Sequence, residues 1–207
     1  MSLAARVTQM LFRPATKWRS IGEEKSTMRS ILIGYVLPMS LIPAVASFIG
    51  YGFVGANGVL FRVSGLYWGT AMAIDSLITS FSVYLLGTWF VDRMAPGFGA
   101  KRELNRSAQL VAYAYTPAWL AGIFYLLPML QELVVLGLYS VYLFYLGIPV
   151  IKQMPDDQRI AFTISSAIVL IIIRFVIGLL IVNIVYSISG NPYLPYTFLG
   201  TGASWHP

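Results

Sequence analysis

Apolar residues run almost unbroken through five stretches of the chain, roughly 31–54, 67–91, 107–127, 133–151 and 160–187, and polar residues gather in the gaps between them. As helices, stretches of this kind cross a hydrocarbon layer, which takes about 20 residues. The pattern predicts an all-α fold, a polytopic membrane helix bundle with five transmembrane helices. The fourth stretch is the shortest, and the break before it is only "PMLQE" at 128–132. The third and fourth helices are therefore expected to form a tight hairpin. Pro117 falls inside the third stretch, "AYAYTPAWL" at 112–120. Proline has no N–H, so the carbonyl of Tyr113 loses its helical partner and the helix should bend there. Thr116, a neighbouring helix or a water can supply a replacement. Pro38 and Pro43 should bend the first helix in the same way, whereas Pro149 lies at the end of the fourth.

The ends of the chain follow other patterns. Leu3, Val7, Met10 and Leu11 recur at helical spacing, with Arg6, Arg13, Lys17 and Arg19 interspersed. This suits a short N-terminal amphipathic helix at the cytoplasmic lipid interface, with Trp18 at headgroup depth and Pro14 ending or restarting it. Such a segment either sets topology or senses lipid. Its short, arginine-interrupted apolar run does not read as a cleaved signal peptide. The tail "SGNPYLPYTFLGTGASWHP" has too many helix breakers to be helical, and Tyr193, Tyr196, Phe198 and Trp205 could fold it back along the outer interface. The chain thus divides into an interfacial segment, 1–30, a membrane domain, 31–187, and an external tail, 188–207.

Composition agrees with the pattern. The chain is 57% hydrophobic and 11% charged, against about 25% charged in a soluble domain. The net charge of +6 could suggest nucleic acid, but its placement argues against that partner. Arg6, Arg13, Lys17, Arg19, Lys25 and Arg29 precede the first span. Arg93, Lys101, Arg102 and Arg106 follow the second, and Lys152 and Arg159 follow the fourth. The opposite loops hold only Arg62. Lys and Arg concentrate in cytoplasmic loops, so the N-terminus is expected inside and the C-terminus outside, in a bacterial inner membrane. There are no cysteines, and the single histidine is His206. No metal site or cofactor is expected.

Charged groups within hydrocarbon cost about 2.5–3.5 kcal/mol each on insertion scales and mark function by default. Asp75 in the second span, Glu132 at the third turn and Arg174 in the fifth span are the candidates, with Asn183 nearby in sequence. Asp75 should lie roughly 12 Å below the outer edge and Arg174 roughly 20 Å. An Asp75–Arg174 pair is expected, or Glu132–Arg174 if the outer turn dips inward. Such a cluster is either a polar cavity open to the outer face or a buried pair that fixes register. Ser76, Thr79, Ser80 and Ser82 read as helix packing. Tyr113 and Pro117 share one helix face, and Tyr115 and Trp119 another. Tyr139, Tyr142 and Tyr145 repeat at spacing three and should form an aromatic seam with the third helix, or a ligand groove beside it. Asp156 and Asp157 fit a turn and helix cap rather than a metal site.

"FRPATKWRSI" at 12–21, the paired prolines of "YVLPMSLIP", "YAYTPAWLAGIFYLLPML" and "LGLYSVYLFYLGI" occur here in that order. This order resembles the bacterial branch of the Yip family, the Ypt/Rab-interacting five-span membrane proteins, from about residue 10 to 187. The resemblance implies a five-span helical domain with a cytoplasmic N-terminus. Eukaryotic members bind prenylated Rab-type GTPases and associate with one another, but they carry a longer N-terminal region than the roughly 30 residues here. The expectation is a non-enzymatic membrane-organising or partner-binding scaffold. A small transporter or channel using Asp75 and Arg174 is the alternative. Its partners would be the lipid bilayer, a second copy of the chain, or a membrane protein not yet identified. No nucleophile–base pair supports an enzyme.

Overall fold

The computed structural model describes residues 2–57 and 62–189. It is helical apart from a two-stranded antiparallel ribbon, β1 (Ala56–Asn57) and β2 (Arg62–Val63), which pairs Ala56 with Val63 and Asn57 with Arg62. The expected fold-back of the tail at 190–207 lies outside the described residues.

Four helical segments are long and apolar enough to cross a membrane: Met28–Val54, Leu66–Phe98, Met129–Ile151 and Asp156–Val185. The first joins α3 (Met28–Ile31) to α4 (Leu37–Ile49) through a wide π-type turn, Leu32–Val36, and ends in another, Gly50–Val54. Pro38 sits just after the first wide turn, which is where such a residue disturbs the ladder. The second crossing is α5 (Leu66–Met94) with a short 3₁₀ extension. The third contains an 11-residue 3₁₀ stretch, Pro128–Leu138, followed by α8 (Tyr139–Ile151), and the fourth is α9 (Asp156–Ser189). Asp156 and Asp157 occupy the first turn of α9, where negative charge suits the helix dipole.

The expected crossing at 107–127 is not one continuous helix. It is α6 (Leu104–Ala114), a step at Tyr115, α7 (Thr116–Ala121) and a 3₁₀ turn, Gly122–Leu126. Pro117 stands in the first turn of α7, where its fixed φ suits a helix start. Thr116 Oγ1 donates to the Tyr113 carbonyl at 2.7 Å, supplying the replacement that the proline demands. That donation leaves Tyr35 to donate its own hydroxyl to Thr116 Oγ1, 2.6 Å away. Ser107 through Ala114 are all buried. α6 is thus buried between α5 and α8, with α3 alongside.

The N-terminal segment differs most from expectation. It is not one helix laid on lipid. It forms α1 (Leu3–Phe12) and α2 (Pro14–Glu23), folded back on each other about Arg13 and held by an Arg6–Glu24 ion pair at 2.8 Å. Trp18 is not an interfacial anchor: it is fully buried, with Met10 and Ile21, in the main core. Gly147 of α8 makes room for it, since a Cβ there would come within 2.7 Å of the indole. Met10, Trp18 and Ile21 therefore meet protein rather than acyl chains, while Leu3 stays exposed. Arg6 also donates to the Tyr113 hydroxyl at 2.8 Å, and Tyr139 donates to the Leu11 carbonyl at 3.1 Å. The end of α1 so lies beside the middle of the Met129–Ile151 crossing. Burial alone would lower the Arg6 guanidinium, but the Glu24 carboxylate holds it above its ordinary value.

Candidate functional site

A cavity of about 540 Å³ opens inside the bundle. α4 contributes Pro43 and Ser47 to its wall, and α5 contributes Asp75, Ser76, Thr79 and Ser80. Tyr115 and the α7 residue Trp119 form another side, Tyr125 lies beyond them, and Arg174 reaches in from α9. Of the residues expected to be packing residues, Ser76, Thr79 and Ser80 stand on the cavity wall and Ser82 does not, and Ser80 also serves packing by accepting from the Trp119 indole at 3.2 Å. Val135, Leu138 and Ile171 line the cavity and are also largely exposed, at 59%, 60% and 57%. An exposed apolar residue on a membrane helix faces lipid, so these three mark a mouth between the Pro128–Leu138 segment and α9.

Of the four candidate polar residues, Asp75 and Arg174 are brought to this one cavity. The expected ion pair between them does not form: among the described residues, no carboxylate oxygen lies within 4.0 Å of Arg174. Arg174 Nη2 donates instead to the Tyr125 hydroxyl at 3.2 Å, and the Thr79 hydroxyl donates to Asp75 at 3.4 Å. The arginine is held by groups on the Gly122–Leu126 turn, which hydropathy alone did not position. Glu132 is exposed and lies outside the cavity lining. Asn183 also lies apart and donates to the Leu179 carbonyl of its own helix at 2.7 Å.

The aromatic candidates separate similarly. Tyr115 and Trp119 meet edge-on at 5.2 Å and both line the cavity. Tyr113 faces away, against Tyr35 at 4.7 Å and beneath Arg6. Tyr139 and Tyr142 stack at 5.4 Å and are exposed, while Tyr145 lies under Arg159 at 5.2 Å. They do not make the expected seam with the third helix. Small residues make it: a Cβ on Gly137 would come within 3.1 Å of the Ala118 Cα, and Ser140 Oγ accepts the Ala118 N–H at 3.2 Å. The same N–H also reaches the Tyr115 carbonyl at 3.0 Å, so the serine is its second acceptor.

A second polar cluster closes the other end of the bundle, and it was missed from sequence. Asp92 Oδ1 accepts from the Ser107 hydroxyl at 2.9 Å and the Glu103 N–H at 2.8 Å. Lys152 Nζ lies 3.4 Å from the same oxygen and donates to Ser107 Oγ and the Lys101 carbonyl at 2.9 Å each. Arg102 approaches the other oxygen at 3.6 Å. Burial lowers the Lys152 amine below its ordinary value, and Asp92 opposes that shift. In sequence, Lys152 read as a loop charge and Asp92 was not singled out. The available signal was that each directly follows an apolar helical run.

The whole arrangement, a broken buried third segment flanked by long apolar helices, spans nearly the region that the Yip1 domain matches, residues 8–180. The chain belongs to the Yip1 family. Inner membrane protein YohC of Escherichia coli strain K12 is 26% identical over 196 residues, covering 89% of this chain and 94% of that protein. The YohC of strain O6:H1 matches to the same extent. No solved structure matches the chain. This Yip1-family protein is therefore a membrane protein with transmembrane helices, similar to a bacterial inner-membrane protein.

Proposed function

We propose that this chain is a non-enzymatic protein of the bacterial inner membrane that organises lipid or a membrane partner by holding an amphipathic molecule in its intramembrane cavity. In this reading the chain crosses five times, the broken α6–α7 segment being the third crossing. The N-terminus is cytoplasmic and the C-terminus external. Self-association with a second copy would extend the same scaffold. The topology rests on the distribution of Lys and Arg and on the burial of α6. The observation that carries the binding role is the cavity itself: apolar walls, a few convergent polar groups and a mouth lined by exposed apolar residues. The described lining includes hydroxyls but no histidine, lysine or cysteine to activate one.

A transport reading is favoured by a separate observation, that Asp75, Arg174, Ser76 and Thr79 all line one space. Thiol labelling separates the two. The chain has no cysteine, so single cysteines can be placed along α5 from Met72 to Thr79 and along α9 from Leu170 to Ile173. Labelling by a lipid-soluble reagent, with protection from a charged one added outside, is the expected result. Charged reagent following one face of α5 down to position 75 would instead establish an aqueous pathway and favour transport. Protection from both reagents would mean a sealed packing element and end the binding proposal. A reporter fused after residue 207 should report the external side.

A further inference from the structure

We infer that the cavity takes a zwitterionic headgroup, with its anionic group on Arg174 and a primary ammonium on Asp75. This rests on the binding role proposed above and specifies its ligand. The two residues carry opposite charges into one space of about 540 Å³. Arg174 is tied to the neutral Tyr125 hydroxyl at 3.2 Å, and Asp75 to the neutral Thr79 hydroxyl at 3.4 Å. Among the described residues, neither has an opposite charge within 4.0 Å. A guanidinium presents five N–H donors in a planar fork, so the Tyr125 and Tyr115 hydroxyls beside it leave others available for a phosphate or carboxylate. An ionised carboxylate accepts at about four positions, and Asp75 has one donor. Charges in a low-dielectric cavity gain most from an occupant that completes both. A purely anionic ligand would leave Asp75 alone, and a purely cationic one would leave Arg174 alone. One molecule bearing both signs satisfies the site without changing its net charge.

The surrounding wall adds to this. Val135, Leu138 and Ile171 line the cavity and are exposed, which gives the apolar part of a ligand a path to the acyl layer. The ligand class is therefore an aminophospholipid. A free zwitterion of the same chemistry would use the same two residues, and the headgroup alone distinguishes the sources.

The full chain, purified in detergent, would be tested for binding of phosphatidylethanolamine, phosphatidylglycerol, phosphatidylcholine and soluble glycerophosphoethanolamine by native mass spectrometry and thermal shift. Phosphatidylethanolamine should bind about tenfold tighter than either other lipid, since each lacks one charge-assisted hydrogen-bonding partner. Asp75→Asn should erase the preference over phosphatidylcholine, whose quaternary ammonium cannot donate. Arg174→Gln should weaken all three lipids by about tenfold. Glu132→Gln, which removes an intramembrane carboxylate outside the cavity, should change nothing. Binding that ignores both headgroup and Asp75 would overturn the zwitterion while leaving an amphipath in the cavity. Equal binding of soluble headgroup and lipid would keep the zwitterion and remove the lipid. If none of the four probes binds, both this inference and the role beneath it fail. Native elution and an unchanged melting midpoint for each variant show that lost binding is not lost fold.

Discussion

Two aspartates of this bundle lie near basic residues, and the two sites are built differently. Asp92 is saturated: Lys152, Ser107, the Glu103 N–H and Arg102 all converge on it within 3.6 Å. Asp75 has Thr79, and its nearest basic partner in the cavity, Arg174, is bonded elsewhere. The closed site lies where three separate segments end: α5 (Asp92), the start of α6 (Ser107) and the residue after α8 (Lys152). It ties those ends together and leaves no space for a ligand. The open site lines a cavity. The contrast teaches that an intramembrane charge is informative about function only once its partners are counted.

Substitutions should separate the two sites by size of effect. Lys152→Met leaves Asp92 buried without its main counter-charge, and breaking a buried pair from one side costs about 3–5 kcal/mol. Unfolding of the detergent-solubilised chain would measure this, and a loss under about 1 kcal/mol would mean that the site is not a structural tie. Trp18→Ala empties a fully buried position facing Gly147 and should cost about 3–5 kcal/mol. The same measurement decides whether the N-terminal hairpin belongs to the fold. Thr116→Val leaves the Tyr113 carbonyl and the Tyr35 hydroxyl unpaired, for about 1–3 kcal/mol. Asp75→Asn should shift stability by no more than about 0.5 kcal/mol, because no ion pair is lost. A large loss there would make the two sites alike and sink the comparison.

The smallest effect concerns pH. The Lys152 amine is held below its ordinary 10.5 in the folded chain. Between that lowered value and 10.5 the unfolded chain holds more protons, so this residue's contribution to stability rises with pH across that window. Lys152→Gln should remove that rise from the melting-temperature profile on the alkaline side.

The long apolar helices were legible because hydropathy counts residues and lipid rewards the count. The third segment was legible as apolar, and backbone chemistry offered Thr116 as one of three repairs of the proline break. Its division at Tyr115 was not, because that step depends on Tyr35 and on the Gly137–Ala118 approach. The N-terminal stripe of Leu3, Val7, Met10 and Leu11 was seen, with Trp18 as its anchor, but Met10 and Trp18 were assigned to the wrong neighbour and Ile21 was not singled out. An amphipathic face is satisfied equally by acyl chains or by Gly147 and its surroundings, and only the fold chooses. In the candidate site, Asp75 and Arg174 were legible as costly groups. Their separation was not, because the Tyr125 hydroxyl that holds Arg174 sits on a turn whose path hydropathy does not predict.

The N-terminal hairpin also sets an order of assembly. Arg6 bonds to Tyr113 and Tyr139 bonds to Leu11 across 107 and 128 residues of chain. These residues leave the ribosome well before their partners on α6 and α8, which are made later. Contacts of such sequence separation close slowly. Until α8 exists, Met10, Trp18 and Ile21 have an apolar face and no protein to cover it, and the membrane surface is the one apolar neighbour at hand. The hairpin would then begin as the lipid-bound helix that its sequence describes and end as a buried part of the protein.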